Sequence, residues 1–262
     1  MMSSPAIKDL RHALISWRIW YSLSIQDIKM RYRGSVLGPF WITISTAIHV
    51  YALGFLYGAL FSIDRDSYLP YFATGLIIWN FISMVVNEST KIFLESKHYI
   101  DNINLPCVVY IFRLIFRNIV IFFHNLLVYL SIILLFPIEM NANLLLLAPG
   151  LAILCLNGIF YGTTIAVISA KFPDCGAIIS SIFQVFFFIT PIMWMPSYLP
   201  AQFHALLLFN PFVHFVNLLR NPLMGQPFDG SLLYAISMTT IVGLILFLAV
   251  VNKYRYRIVF WL

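Results

Sequence analysis

The chain has 262 residues, of which 61% are hydrophobic and 10% charged, with a mean hydropathy of +0.89. Soluble domains carry about 25% charged residues, so this is an integral membrane protein, not a soluble enzyme or a cytosolic binding module. The formal charge of +6 falls at the flanks of apolar runs, where it reports topology and not a nucleic-acid footprint.

Residues 6–22 place Ile7, Leu10, Leu14, Trp17 and Tyr21 at helical spacing, with Lys8, Arg11, His12 and Arg18 largely opposite. That pattern predicts an amphipathic helix lying in the headgroup layer; a cytosolic helix packed on the protein is the alternative. Ser24 and Asp27 suggest a cap for a second short helix through Met30. The basic stretch Lys29-Met30-Arg31-Tyr32-Arg33 then gives way at Gly34 to a run without acid, lysine or arginine that lasts through Ile63. This is where the chain enters the bilayer. No short apolar h-region with a small-residue cleavage site precedes it, so no cleavable signal peptide is expected.

The first span is predicted at 37–62, followed by the acidic turn Asp64-Arg65-Asp66 and a second span at 70–90. Polar residues fill 91–104 (Lys91, Glu95, Lys97, His98, Asp101, Asn102, Asn104), closed by Leu105-Pro106. The third span occupies 107–136. Arg113 and Arg117 in its opening turns are expected to snorkel to the interface, because an arginine at mid-bilayer costs ~2.5–3.5 kcal/mol. A turn with Pro137 and Glu139 leads to span four at 143–169, and Lys171-Phe172-Pro173-Asp174 forms the next loop. From Cys175 to Leu219 there are 45 residues without a charge, too many for one span and interrupted by Pro191, Pro196, Pro200 and Asn210-Pro211. They predict span five at 175–194 and short re-entrant half-helices, since broken backbone at membrane depth needs cover. Span six follows at 231–252, with a basic tail. If both termini are cytosolic, Arg65 and Arg220 are the only two of the 16 lysines and arginines on the outer side, a strong positive-inside bias. The expectation is therefore an all-α polytopic protein with six spans: one transmembrane domain over 1–262, comprising a cytosolic or interfacial segment (1–35), a bundle (36–252) and a cytosolic tail (253–262).

Catalytic signals are sparse. No G-x-x-x-x-G-K-[ST] occurs, so ATP is not bound through a P-loop. Cys107, Cys155 and Cys175 lack metal or disulfide spacing, and no metal site or bound cofactor is expected. His49 and His124 lie within spans, where a histidine bonded to a backbone carbonyl competes with a functional reading. Glu88, near the inner end of span two, is the only acid close to a span interior. Gly54-x-x-x-Gly58 and Gly158-x-x-x-Gly162 permit close helix approach, within a subunit or across a dimer. Among 24 Phe, 14 Tyr and 6 Trp, Trp17, Trp20 and Trp261 fit an interfacial belt. Trp41, Tyr51, Tyr57, Trp79, Phe186–Phe188 and Trp194 are spread along spans one, two and five, where they suit either sugar stacking in a channel or lipid-facing packing.

Four stretches resemble the membrane subunits of ABC-2 type exporters, in the branch that moves lipid-linked polysaccharides such as O-antigen, teichoic acid and some capsules. They are Asp27-Ile28-Lys29-x-Arg31-Tyr32-Arg33-Gly34-Ser35-Val36-Leu37-Gly38-Pro39-x-Trp41, the polar segment ending in Leu105-Pro106, Thr190-Pro191-Ile192-Met193-Trp194, and Asn210-Pro211 followed by Arg220. Within that branch the chain is most like the O-antigen permeases. The loop 171–174 departs from many relatives in its proline. The resemblance implies a homodimer in the bacterial inner membrane, docked on a separate cytosolic ATPase that holds ATP and Mg. It implies export of a lipid-linked polysaccharide, such as undecaprenyl-diphosphate-linked O-antigen, with small-lipid or drug export as an alternative within the class. Carried over residue by residue, Lys29, Arg31, Arg33 and Gly34 would meet the lipid headgroup. Gly34 and Gly38 would allow close approach there. Lys97, His98, Asp101, Asn102 and Asp174 would contact the ATPase. Asn210, Pro211 and Arg220 would belong to a periplasmic gate. For Arg31 and Arg33 the plain alternative is a topological anchor. A membrane enzyme acting on polyprenyl lipids would need clustered acids or histidines, which the sequence lacks.

Overall fold

Every regular element in the computed structural model is helical; it describes residues 4–38, 40–60, 63–103, 105–136, 138 and 141–262. Pro39, the end of the first predicted span at 61–62, Asn104, Pro137 and Glu139 lie outside these residues. The order is α1 (Pro5–Ile15), α2 (Trp17–Arg31), α3 (Phe40–Leu60), α4 (Arg65–Ser89), α5 (Ile92–Glu95), α6 (Lys97–Asn102), α7 (Val108–Leu135), α8 (Leu147–Lys171), α9 (Cys175–Ile189), α10 (His204–Phe209), α11 (Pro211–Leu223) and α12 (Gly230–Tyr254). Five of them, α3, α4, α7, α8 with its preceding 3₁₀ turn, and α12, are long and apolar enough to cross a membrane. The chain is a multi-pass membrane protein.

The fifth predicted span differs. α9 has 15 residues and stops at Ile189, not near 194; at ~1.5 Å per residue it is about 22 Å long, short of the ~30 Å hydrocarbon core. Pro191 explains the stop, because the residue before a proline is driven out of the helical region, and Thr190 is extended with ψ 136°. The carbonyls exposed by this break are capped by side chains. Tyr68 Oη donates to Met193 O (2.5 Å), and Tyr71 Oη (2.9 Å) and Arg220 Nη1 (3.0 Å) both donate to Pro191 O. The chain re-forms helix at α11 through a local device: Pro211 sits at the first position while Asn210 Oδ1 accepts from Phe212 N at 3.0 Å. Asn210 Nδ2 also reaches the buried Thr190 hydroxyl (3.1 Å), tying the two breaks together.

α4 is the hub, packed against α3, α7, α8, α9 and α11. Glycines set two of these approaches. A Cβ on Gly54 would lie 2.3 Å from Leu69 Cδ1, and one on Gly162 would lie 2.8 Å from Ser89 Oγ. Both small-residue motifs thus pack within the subunit.

The N-terminal segment corrects three expectations. The predicted helix over 6–22 is interrupted at Ser16, and α2 starts at Trp17. Ser24 is not a cap: it lies inside α2, and its hydroxyl donates to Trp20 O (2.6 Å) and Arg113 O (2.8 Å). Ala6 and Ala13 are buried, while Ile7, Leu14, Trp17 and Tyr21 are exposed. Trp20 does not join such an exposed belt, since its ring packs on Phe112 and Phe116.

Candidate functional site

Arg31, Lys91, Lys171 and Lys253 mark one end of the bundle, the basic end. There, α2 is fastened to α4 and α7 by five charged side chains. Asp27 on α2 takes Arg113 in a two-point pair, Nε to Oδ2 at 2.7 Å and Nη2 to Oδ1 at 2.5 Å, and also accepts from Arg117 Nη1 at 2.8 Å. Arg117 Nη2 reaches Glu88 Oε2 at 2.8 Å, which Asn118 Nδ2 shares at 2.8 Å. Glu88 Oε1 accepts from Arg31 Nη2 at 2.9 Å.

Arg113 and Arg117 do not snorkel. They are 7% and 5% exposed and are neutralised by two carboxylates. Isolated cations buried this far from solvent would be costly, and pairing offsets most of that cost. Their partners were readable in part. Glu88 ends span two and the two arginines open span three, so antiparallel spans place them at one level. Asp27 carried no such signal, because its distance in sequence from Arg113 is bridged only by the fold.

Arg113 also reaches the segment between α4 and α7. Its Nη1 lies 3.3 Å from Ser96 Oγ, and its guanidinium carbon lies 5.5 Å from the Tyr99 ring centroid. Lys97, His98, Asp101 and Asn102 on α6 are all exposed, as is Asp174 in the loop before α9. Asn102 donates to His98 O (2.7 Å), and Lys97 Nζ donates to the carbonyl of Leu262. A cleft of about 680 Å³ opens on this end, with Leu94, Pro173 and Trp261 in its walls.

Lys29, Arg31, Arg33 and Gly34 are all exposed at the junction of α2 and α3. Gly34 (φ 82°) and Gly38 (φ 53°) shape the turn. A Cβ on either would meet no atom of this chain within 4 Å, so what asks for glycine within the chain itself is the left-handed backbone. Beside this turn, between α3, α4 and α7, lies a cavity of about 280 Å³ whose lining includes Arg31, Tyr32, Ser45, His49, Asn80 and Ser83. His49 keeps its Nδ1 on Ser45 O (2.8 Å), and His124 does the same with Val120 O (2.8 Å). Apart from Arg31 and His49, the polar residues of this cavity were missed in the sequence. Their signal was weak: single hydroxyls and amides on three apolar helices share a level only once the bundle is assembled.

The aromatic candidates separate. Trp79 is 4% exposed and packs on Phe183, Phe187 and Phe212 at 5.8, 6.0 and 5.6 Å. Trp41 is exposed, and Tyr51 and Tyr57 are half-buried. Tyr51 Oη lies 2.7 Å from Ser131 Oγ, and Trp194 Nε1 donates to Phe188 O at 3.0 Å. Among the gate candidates, Asn210 and Pro211 form the α11 cap. Arg220 is buried at 3% exposure, with its guanidinium carbon 3.9 Å from the Tyr71 ring centroid. No group of three His, Cys, Asp or Glu able to hold a metal occurs among the described residues.

Comparison with known proteins covers most of this architecture. The family model for the ABC-2 type transporter matches residues 19–224, from α2 to the end of α11. The chain is similar to an O-antigen export system permease protein RfbA of Klebsiella pneumoniae, 20% identical over 236 residues that cover 88% of this chain and 90% of the relative. It is also similar to the polysialic acid transport protein KpsM of Escherichia coli, 24% identical over 241 residues that cover 90% and 92%. Members of this family work with a separate nucleotide-binding subunit, in keeping with the missing P-loop here. The chain belongs to the ABC-2 type transporter family, as a membrane permease subunit without ATPase activity of its own.

Proposed function

We propose that the chain is the permease of an exporter that carries a lipid-linked polysaccharide out of the cytosol, driven by ATP hydrolysis in its partner. The observation that carries the reading is the arrangement at Arg31: an exposed guanidinium on the basic turn, beside a cavity with hydroxyls, amides and an imidazole in its walls. Guanidinium groups bind phosphate at two points, and hydroxyl and amide groups match sugar edges. End-to-end likeness to relatives named for O-antigen and for polysialic acid supports a glycan as cargo. A diphosphate-linked O-antigen is the first choice. A capsule polymer is the second, favoured by the polysialic acid relative.

In this reading the single domain 1–262 has six passes and both termini in the cytosol, in the bacterial inner membrane. α9 makes the fifth pass, completed by the irregular segment after it. α10 and α11 form the re-entrant pair, with Asn210, Pro211 and Arg220 at the outer gate; Phe212 packing on Trp79, well inside α4, is consistent with this. α1 and the start of α2 lie in the interface, their exposed apolar face in lipid. Two subunits form the channel, and Lys97, His98, Asp101, Asn102 and Asp174 face the ATPase. Lys29, Arg31, Arg33 and Gly34 receive the headgroup, and Trp41, Tyr51, Tyr57, Trp79, Phe187 and Trp194 serve the glycan path.

The test is export in cells. Arg31→Ala with Arg33→Ala is expected to lower surface glycan while the dimer and its complex with a P-loop ATPase still purify intact. Unchanged surface glycan in that double mutant returns both arginines to a topological role, and an active protein that purifies without an ATPase sinks the reading altogether.

A further inference from the structure

The five-charge network at the basic end is unevenly built. Three guanidinium groups (Arg31, Arg113, Arg117) pair directly with two carboxylates (Asp27, Glu88), one cation more than the acids bonded to them; Glu95 acts on Arg117 without bonding it. The side chains of Arg113 and Arg117 are 9% and 6% exposed, against 38% for Arg31. The surplus therefore meets solvent at Arg31, on the wall of the polar cavity.

The two oxygens of Glu88 do separate jobs. Oε2 is held by Arg117 and Asn118, each at 2.8 Å. Among the described residues, Oε1 accepts from Arg31 alone, at 2.9 Å. Removing Arg31 leaves the carboxylate with one charged and one neutral donor, so the buried part of the network survives. Removing Arg117 would instead cut the link between Glu88 and Asp27, since among the described residues it alone bonds both. The exposed pair is also the weaker one, because solvent screens a half-exposed ion pair far more than a buried one.

We propose that Glu88 is a resident stand-in for the substrate's phosphate. It occupies Arg31 while the site is empty and yields it when an anionic headgroup arrives. A diphosphate offers Arg31 two-point pairing and more negative charge than one carboxylate oxygen, so the exchange runs toward the ligand. Affinity is set by the difference between the two partners, which makes Glu88 a specificity-determining residue: uncharged lipids cannot displace it. This inference rests on the reading of Arg31 as a headgroup ligand.

The test uses the permease with its ATPase subunit in phosphatidylethanolamine nanodiscs, which present no anionic lipid. The probe is farnesyl diphosphate, with farnesol as the uncharged control, and the readout is the dissociation constant. Glu88→Gln is expected to tighten farnesyl diphosphate binding about fivefold, the scale of an exposed ion pair, and to leave farnesol unchanged. Arg31→Gln weakens diphosphate binding, and in that background Glu88→Gln has no further effect. If Arg31→Gln weakens binding but Glu88→Gln leaves it equal or weaker, the exchange is wrong and Arg31 remains a headgroup ligand. If Arg31→Gln changes nothing, both ideas fall. Should Glu88→Gln not assemble, Glu88→Asp keeps a carboxylate for Arg117 but retracts it from Arg31. It is expected to tighten binding in the same direction, and equal or weaker binding overturns the proposal.

Discussion

Asp27→Asn tests whether the network at the basic end holds α2 to the bundle. Asp27 accepts three charged hydrogen bonds, two from Arg113 and one from Arg117. Its side chain is 14% exposed, so little water can take its place. Breaking a buried pair from one side costs about 3–5 kcal/mol, since the surviving charge is left unpaired. Arg117 keeps Glu88, whereas among the described residues Arg113 retains Ser96 and the Tyr99 ring, which puts the expected loss near the lower bound, about 3 kcal/mol. At ~2–4 °C per kcal/mol for a chain of this size, the melting temperature of the detergent-purified subunit should fall by about 6–12 °C. Asp27→Asn with Arg113→Gln removes the stranded charge and should recover most of that drop. Thermal unfolding followed by size-exclusion monitoring reads both. A fall below about 2 °C in the single mutant, or strictly additive effects in the pair, would refute the claim that these charges are coupled.

Three other perturbations probe the remaining joints. Gly75→Ala would set a Cβ 2.1 Å from Arg220 Nη2; because that guanidinium is pinned by Pro191 O and the Tyr71 ring, overpacking should cost about 1–3 kcal/mol, and adding Arg220→Met should relieve it in the same melting assay. Tyr68→Phe leaves Met193 O without its donor and should cost about 1–3 kcal/mol, whereas Tyr198→Phe, on an exposed side chain, should cost nothing measurable. Asp229 caps α12: the Ser231 hydroxyl and Leu232 N–H hold its carboxyl below the usual range. A lowered folded value means that its contribution is complete above the unfolded carboxyl range and is lost as pH falls through the folded value. Asp229→Ala should therefore cost about 0.5–2 kcal/mol at neutral pH. Asp229→Asn keeps a capping oxygen at every pH and should flatten the acid limb of a melting-temperature titration.

Much of the bundle was legible because hydropathy and charge placement are local signals. Spans two, three, four and six fall within a few residues of α4, α7, α8 and α12. The fifth failed at its end because apolarity continues through Thr190–Trp194 while proline stops the helix, and hydropathy does not register φ and ψ. The site was legible only in its exposed half. Arg31 and Arg33 stand in a basic run at a membrane boundary, which composition detects. The carboxylate that answers Arg31 lies on another helix, 57 positions along the chain, and Arg113 finds Asp27 at 86. Long-range pairing leaves no periodicity in the chain. The rule that would have helped is energetic: a cation at membrane depth needs a partner, and Glu88 was the acid at the right level.

The position of Arg113 also has a mechanical meaning. One side chain holds Asp27 of α2 on one edge and lies against Ser96 and Tyr99, around the start of α6, on the other. The exposed α6 and the second helix therefore share one buried guanidinium, and a substitution at Arg113 alters the seat of both. Two segments far apart in the chain thus meet at a single side chain of α7.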